Sequence, residues 1–208
     1  PFTGSETIVP GTQQFPLRPE DATTSPITTK PTPTPTKSAS TPTPTHSSTD
    51  KHYSVSGSIK PDIDTSNSEI YEGFRVSING TELSATTDGN GNFKIDRIPE
   101  GIDADIIITK SSFLKRNMAL GKVTSDISVK EPIIMWVGDI EIDNIQDGAI
   151  NMKDVFEVAK SYNAVKNNSK YNTKVDINKD EVINMSDIIL IAKNFNKTSK
   201  DYISIFSY

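Results

Sequence analysis

The sequence predicts two small domains behind a linker: an antiparallel β-sandwich over residues 53–135, then an all-α unit over residues 136–208. Three observations lead to this prediction. Residues 1–52 hold ten of the 13 prolines, short alternating apolar runs begin at Tyr53, and a loop–helix pattern occurs twice after residue 135. Each change of composition therefore marks a segment boundary.

The composition of the 208 residues limits the classes of function. The apolar fraction is 34 %, and a net charge of −5 without a basic stripe argues against nucleic-acid binding. No apolar run approaches the roughly 20 residues that span a bilayer, so we expect no direct membrane insertion.

Because there is no cysteine, disulfides and thiol chemistry are excluded, and bound metal is the alternative source of stability in an exported protein. We expect an export signal to lie upstream of this linker-like start.

The linker is dominated by Thr-Pro repeats, as in TTKPTPTPTKSASTPTPT, residues 28–45. Proline fixes φ and removes a hydrogen-bond donor at every other position, so this stretch forms neither helix nor sheet. Residues 1–52 are therefore predicted to be a disordered, semi-extended spacer. An O-glycosylated stalk and an unmodified linker fit this composition equally well.

The sandwich prediction rests on runs of strand length with period-two alternation. In FRVSI, for example, Phe74, Val76 and Ile78 share one face. Turn signals such as Asn79-Gly80 separate the runs. The predicted strands lie in YSVSGSI, GFRVSING, TELSATT, GNFKIDRI, DADIIITK and SDISVKEPIIM.

An internal repeat of 33 residues organises the C-terminal part. The segment DNIQDGAINMKDVFEVAKSYN from Asp143 aligns with DINKDEVINMSDIILIAKNFN from Asp176. After each loop, apolar residues recur at helical spacing, and we interpret these stripes as the core between two helices. The stripes are Val155, Val158, Ala159 and Tyr162 in the first repeat and Ile188, Ile191, Ala192 and Phe195 in the second.

The loops of both repeats carry the oxygen pattern of a calcium site. Calcium takes about six to eight oxygen ligands, which a loop of about twelve residues supplies from positions 1, 3, 5, 7, 9 and 12. We define loop one as residues 143–154 and loop two as residues 176–187, and we predict one calcium ion in each. The predicted ligands are Asp143, Ile145 (main chain), Asp147, Ala149 (carbonyl), Asn151 and Asp154 in loop one, and Asp176, Asn178, Asp180, Val182 (carbonyl), Asn184 and Asp187 in loop two.

Two details leave the ligand set of loop one open. Ile145 at position 3 offers only its main chain, so this site is expected to be the poorer one. Asp139 and Glu141 are alternative ligands if loop one carries an insertion, whereas Asp143 preserves the spacing of the repeat. At position 8 of both loops, Ile150 and Ile183 are expected to form a short bridge between the loops.

The duplicated loop–helix unit, most complete in DINKDEVINMSD, resembles dockerin modules, and the resemblance covers about residues 136–202. The preceding segment, with YSVSGSIKPD and PIIMWVGDI, resembles the immunoglobulin-like X module that precedes a type II dockerin. The resemblance implies the C-terminal region of a cellulosomal scaffoldin, secreted and associated with the cell surface. It further implies calcium-dependent binding to a type II cohesin of a cell-surface anchoring protein, and no catalytic residues.

Within that family, positions after the ligand at position 9 and further down each helix set the choice of partner. In this sequence the corresponding residues are Met152, Lys153, Lys160, Met185, Ser186 and Lys193. Exposed methionines suit an adaptable apolar interface. The alternative is that both methionines are core residues.

Two other functions remain open. The chain is the docking tail of a secreted plant-polysaccharide-degrading glycoside hydrolase if a catalytic domain lies upstream. It is a carbohydrate-binding sandwich if the aromatic residues of the sandwich are exposed. These are Tyr53, Tyr71, Phe74, Phe93 and Phe113. Trp136 lies at the junction of the two domains, and we interpret it as a packing anchor.

Overall fold

The computed structural model describes residues 51–202, so the linker prediction lies almost wholly outside the described residues. In chain order the elements are β1 (His52–Pro61), α1 (Ser68–Tyr71), β2 (Arg75–Ile78), β3 (Ser84–Thr86), β4 (Asn92–Pro99), β5 (Asp103–Lys110), β6 (Phe113–Lys122), β7 (Ile127–Ser128), β8 (Ile133–Met135), α2 (Met152–Lys160) and α3 (Met185–Lys193). None of these helices has the length and apolar composition to cross a membrane.

The eight strands form two four-stranded sheets, which confirms the two-sheet β module. The second sheet has the order β3-β2-β5-β6 and is antiparallel throughout. In the first sheet β4 is antiparallel to β1, but β7 and β8 both run parallel to β1. The antiparallel prediction is therefore wrong for this sheet. After β6 the chain crosses to the first sheet, and both short strands then follow the direction of β1.

The inner faces of the sheets form the core as the alternation predicts. Phe74, Val76 and Ile78 are all at most 1 % exposed. Strand β6, by contrast, was not predicted. Its sequence FLKRNMALGK carries three consecutive polar residues at 115–117, and lysine, asparagine, alanine and glycine are weak strand formers. Pairing with β5, rather than local preference, makes this segment a strand.

The two helices of the C-terminal part begin one repeat apart, at Met152 and Met185. Each is capped by an asparagine whose side chain accepts a hydrogen bond from a backbone N–H of the first turn. The side chain of an aspartate three residues later accepts a hydrogen bond from the backbone N–H of that asparagine. These caps are Asn151 with Asp154 and Asn184 with Asp187. Such capping boxes satisfy amide groups that a helix start otherwise leaves unpaired.

Each loop pairs with the segment that follows the helix of the other repeat. The amide of Ile150 donates to the carbonyl of Lys197 at 2.8 Å, and the amide of Ile183 donates to the carbonyl of Ala164 at 2.8 Å. The expected bridge between Ile150 and Ile183 is therefore wrong, because the main-chain groups of both residues are used in these exchanged contacts. The exchange gives the two repeats a near-twofold arrangement.

The apolar core continues from the sandwich into the helical part, and residues 51–202 lie within one compact unit. Met135 at the end of β8, Val137 and Ile140 are each at most 1 % exposed. Next to them the ring of Trp136 stacks on Tyr202, with centroids 4.1 Å apart. The guanidinium group of Arg116 lies 4.7 Å from the centre of the Tyr202 ring, and the amine of Lys197 lies 4.0 Å from the centre of the Trp136 ring.

The Tyr202 hydroxyl adds two hydrogen bonds to this stack. It donates to the carbonyl of Leu114 in β6 at 3.0 Å and accepts from the amide of Trp136 at 2.9 Å. The last described residue is thereby tied to the sandwich, and Trp136 has the packing position expected of a domain anchor.

Candidate functional site

Loop two holds two buried carboxylates in a defined hydrogen-bond network. Asp187, fully buried, accepts from the amide of Ile177 at 2.8 Å and from the amide of Asn184 at 2.9 Å. Asp176, 1 % exposed, uses one oxygen to accept from the Tyr171 hydroxyl at 2.5 Å and from the Glu181 amide at 3.0 Å. Its other oxygen, Oδ1, is buried without a hydrogen-bond partner.

In the structure loop one extends back to residue 139: Asp154 makes the bonds that Asp187 makes in loop two, and Asp139, not Asp143, lies in the position of Asp176. Asp154 accepts from the amide of Ile140 at 2.7 Å and from the amide of Asn151 at 2.7 Å, as Asp187 does in loop two. Asp139, directly before Ile140, is fully buried. The segment Asp139-Ile140-Glu141 thus corresponds to Asp176-Ile177-Asn178, at an offset of 37 rather than 33 residues.

The difference in offset is a four-residue insertion that folds on itself. The amides of Ile142 and Ile145 each donate to the carbonyl of the other, at 3.0 and 2.9 Å. Between them Asp143 and Asn144 have φ of 52° and 63°, the geometry of a two-residue hairpin turn. Asp143 is exposed in this turn, and Ile145 is 67 % exposed with its carbonyl already engaged. The structure does not bring either residue to the buried carboxylates of loop one.

The position of Asp139 also depends on the residue before it, a glycine with a positive φ. Gly138 has φ of 130°, and a Cβ there would lie 2.9 Å from a methyl of Ile150 and 3.3 Å from the Cα of Ile191. Only glycine allows this close approach to α3. The approach carries Asp139 into the interior.

The other predicted ligands lie around the two buried pairs. Asn178 donates to Asp180 at 2.8 Å, and Asn184 contacts the carbonyl of Val182 at 3.5 Å. In loop one Asn151 contacts the carbonyl of Ala149 at 3.2 Å, while Asp147 forms an ion pair with Lys153 at 2.9 Å. Among residues 51–202, no group of three or more histidine, cysteine, aspartate or glutamate side chains could hold a metal ion by itself. Amide and carbonyl oxygens are therefore needed to complete either site.

Burial disfavours the charged form of these carboxylates. It raises the pKa of Asp139 to about 7, with further contributions from Asp154 and Asp147, although nearby backbone amides act in the opposite direction. Burial also raises the pKa of Asp154 and that of Asp187. Both oxygens of Asp139 lack a hydrogen bond of normal geometry. Buried, unpartnered oxygens in an all-oxygen donor set fit a hard cation such as calcium.

Each helix exposes an apolar pair beside its loop. Met152 is 48 % and Phe156 is 64 % exposed on α2, and Met185 is 53 % and Ile189 is 59 % exposed on α3. Residues four apart lie on one side of a helix, so each pair forms one face. We call these two pairs the helix faces. The methionines are consequently not core residues.

From the sequence, Phe156 and Ile189 are not identified as contact residues, because both lie next to the apolar residues that the pattern assigns to the core. The available signal was their equivalence in the 33-residue repeat, since both are large and apolar. Ala159, Tyr162, Ala192 and Phe195, interpreted as core residues from the sequence, are in fact exposed. One buried position of each helix is taken by an aspartate of the loop, Asp154 or Asp187, so fewer positions of the helix are left for apolar core residues.

The predicted polar contact residues differ in their surroundings. Lys160 pairs with Glu157 of its own helix at 2.5 Å, and Ser186 is exposed in the first turn of α3. Lys193 instead crosses to the sandwich, where its amine donates to the Asp62 carboxylate at 2.6 Å and to the Asp62 carbonyl at 3.1 Å. The two repeats are therefore not equivalent at this position.

The aromatic residues of the sandwich face inward. Phe74, Phe93 and Phe113 are at most 5 % exposed, and Tyr53 and Tyr71 are half-buried against the core. A sugar-binding platform needs exposed rings, so this arrangement does not favour carbohydrate binding by the sandwich.

Comparison with known proteins completes this description. No protein-family model matches the chain. It is 41 % identical over 157 residues to cellulosomal-scaffolding proteins B and A of Acetivibrio thermocellus. These matches cover 72 % of this chain but only 20 % and 8 % of those proteins, so the chain spans a fifth or less of their length.

Two solved structures of Acetivibrio cellulolyticus proteins are also similar. They are a C-terminal and an N-terminal interface mutant of a type II cohesin–X-dockerin complex. For each, the TM-score is 0.67 and the identity 39 %, and the match covers 72 % of this chain and 99 % of the matched chain. With a sandwich joined to duplicated loop–helix units and this degree of identity, the chain belongs to the X-dockerin family of cellulosomal scaffolding proteins.

Proposed function

We propose that this region is a calcium-dependent docking region that binds a type II cohesin and thereby anchors a secreted scaffolding protein at the cell surface. The observation that carries the proposal is the pair of exposed apolar helix faces, each at the start of a capped helix and beside an oxygen-rich loop. Apolar anchors of this kind commonly provide most of the energy of a protein interface. The similar solved complexes contain a type II cohesin, which identifies the class of partner.

In this proposal residues 1–52 are the linker, residues 53–135 the X module and residues 136–208 the dockerin. The ligands in loop two are those predicted from its sequence. In loop one Asp139 and Glu141 take the first two ligand positions, and Asp147, Ala149, Asn151 and Asp154 supply the others. Calcium would neutralise the buried carboxylates and so stabilise the loops to which both helices are attached.

The partner-binding residues are then Met152, Lys153, Lys160, Met185, Ser186 and Lys193, together with Phe156 and Ile189. The apolar members lie at the centre of the proposed surface. Lysines at the rim mainly adjust the rate of association. The matched relatives are scaffolding proteins, which favours this function over the tail of a glycoside hydrolase.

The proposal is tested by co-migration of the full chain with purified type II and type I cohesins in native gels. We expect a complex with the type II cohesin in calcium and none after chelation, with magnesium as the ionic control. A complex with type I cohesin alone, or one that resists chelation, would contradict the proposal.

A further inference from the structure

The turn between β5 and β6 contacts both oxygen-rich loops. Its residue Ser112 accepts through its carbonyl from the Gly138 amide at 2.8 Å, directly before the first carboxylate of loop one. Its hydroxyl donates to the carbonyl of Lys174 at 2.5 Å, two residues before loop two. The sandwich thus reaches the entrance of each proposed calcium site.

Gln146, the residue directly after the inserted turn, connects the sandwich to loop one. Its side-chain amide donates to the carbonyl of Asp139 at 2.6 Å and to the carbonyl of Phe113 in β6 at 2.9 Å. The carbonyl of Lys110 in β5 lies at 3.4 Å. One amide group therefore joins the main chain of a proposed calcium ligand to two strands of the sandwich.

In loop two the equivalent position of the 33-residue repeat is Lys179, whose amine donates to the carbonyl of Thr173, in the segment before loop two, rather than to the sandwich. On this side, the side chain of Asn67 in the sandwich donates to the main-chain carbonyl of Lys179 at a long 3.5 Å. Lys174 adds a link between the loops, since its amine donates to Glu141 at 2.6 Å and to Asn144 at 3.1 Å. Within the loops themselves, the contact of Gln146 with the sandwich is therefore shorter than that of Lys179, at 2.9 Å against 3.5 Å.

We propose that Gln146 is a positioning residue that couples calcium binding at loop one to the contact between the sandwich and the dockerin. The orientation of the Asp139 main chain determines where its two unpartnered carboxylate oxygens point. Groups that orient metal ligands typically change metal affinity by about 10–100-fold when removed. Because coupling is reciprocal, calcium at loop one also strengthens the attachment of the sandwich. This inference rests on the proposed calcium sites.

The test is calorimetric titration of calcium into the metal-free full chain and into Gln146→Ala, with Ile145→Ala as the matched control. Ile145 is the neighbouring residue in the chain, but its side chain is exposed. We expect Gln146→Ala to weaken one of two sites about tenfold, which corresponds to about 1.4 kcal/mol, and to leave the other unchanged. Gln146→Met, which keeps the length of the side chain but removes the donor, replaces the alanine variant if that variant fails to fold.

A loss confined to one site supports positioning, since general destabilisation would weaken both sites. Equal affinities in the parent and both Gln146 variants would overturn this inference and leave the proposed function intact. The inference also fails if Ile145→Ala weakens binding as much as Gln146→Ala does. Failure of the parent chain to bind calcium would overturn the proposed function and the inference together.

Discussion

Asp139 and Asp143 lie four residues apart and have opposite surroundings. Asp139 is fully buried with both oxygens unpartnered, whereas Asp143 is exposed in the inserted turn. The repeat was recognisable from sequence because the offset of 33 holds from Asp147 onward. The sequence predicts Asp143 as the first ligand because a four-residue insertion places an aspartate at the same offset, whereas the structure places Asp139 in the position equivalent to Asp176.

The charge-removing variants Asp139→Asn and Asp143→Asn separate these two assignments. We expect Asp139→Asn to weaken calcium binding at one site by about tenfold or more, since a buried carboxylate next to the cation is lost. Asp143→Asn should bind calcium as the parent does, because asparagine also tolerates a positive φ in the turn. Calorimetric titration gives the affinity of each site. The reverse order of effects would restore Asp143 as the ligand.

Both helices begin at the tenth residue of a loop, two residues before the loop ends as the sequence predicts it, because an asparagine cap with an aspartate three residues later starts the helix there. Which side chains of these helices are buried could not be derived from the spacing of their apolar residues. Each helix has nine residues and directs an aspartate toward its loop, so little of its surface is left for apolar packing. Ala159 and Tyr162 therefore lie outside the core although they continue the apolar spacing.

Alanine substitutions on the helix faces test their part in cohesin binding. We expect Met152→Ala with Phe156→Ala on α2, and Met185→Ala with Ile189→Ala on α3, each to cost about 2 kcal/mol or more in binding free energy. Calcium affinity should remain unchanged, because these exposed side chains are not among the proposed ligands. Unequal losses are expected, since the two repeats are not identical. Titration of type II cohesin into each variant measures the effect.

Two controls make the helix-face experiment specific. Val165→Ala removes an exposed apolar side chain outside both helices, and we expect normal binding. Lys160→Ala should cost less than either face and show a stronger dependence on salt. Lys193→Ala also breaks the contact with Asp62, so its effect on stability must be measured separately. Parent-like binding by both face variants would exclude the helix faces as the docking surface.

At the scale of the whole described structure, residues 51–202, the sandwich and the helical part share one apolar core. The absence of a Gly-, Ser- or Pro-rich stretch around Trp136 indicated such a junction. The contribution of Tyr202 was not foreseeable, because it comes from 66 residues away and depends on the exchanged pairing of the repeats. Long-range contacts of this kind leave no local pattern in a sequence.

Trp136→Ala tests whether the two domains unfold together. The substitution removes the stack with Tyr202 and the contact with Lys197, and we expect a melting temperature lower by on the order of 5 °C. Calorimetric scanning in calcium should give one transition in the parent and a single, shifted transition in the variant. Tyr162→Ala, which removes an exposed ring after α2, serves as the control. Two separate transitions in the parent would show that the domains are independent.

Trp136 is the only tryptophan of the chain, and this has a practical consequence. Selective excitation of tryptophan reports on one place in the molecule, the joint between the sandwich and the helical part. The stacked Tyr202 ring and the Lys197 ammonium group both influence the emission of the indole. The protein thus carries a built-in optical reporter, and an event that opens or tightens its joint can be followed without any label.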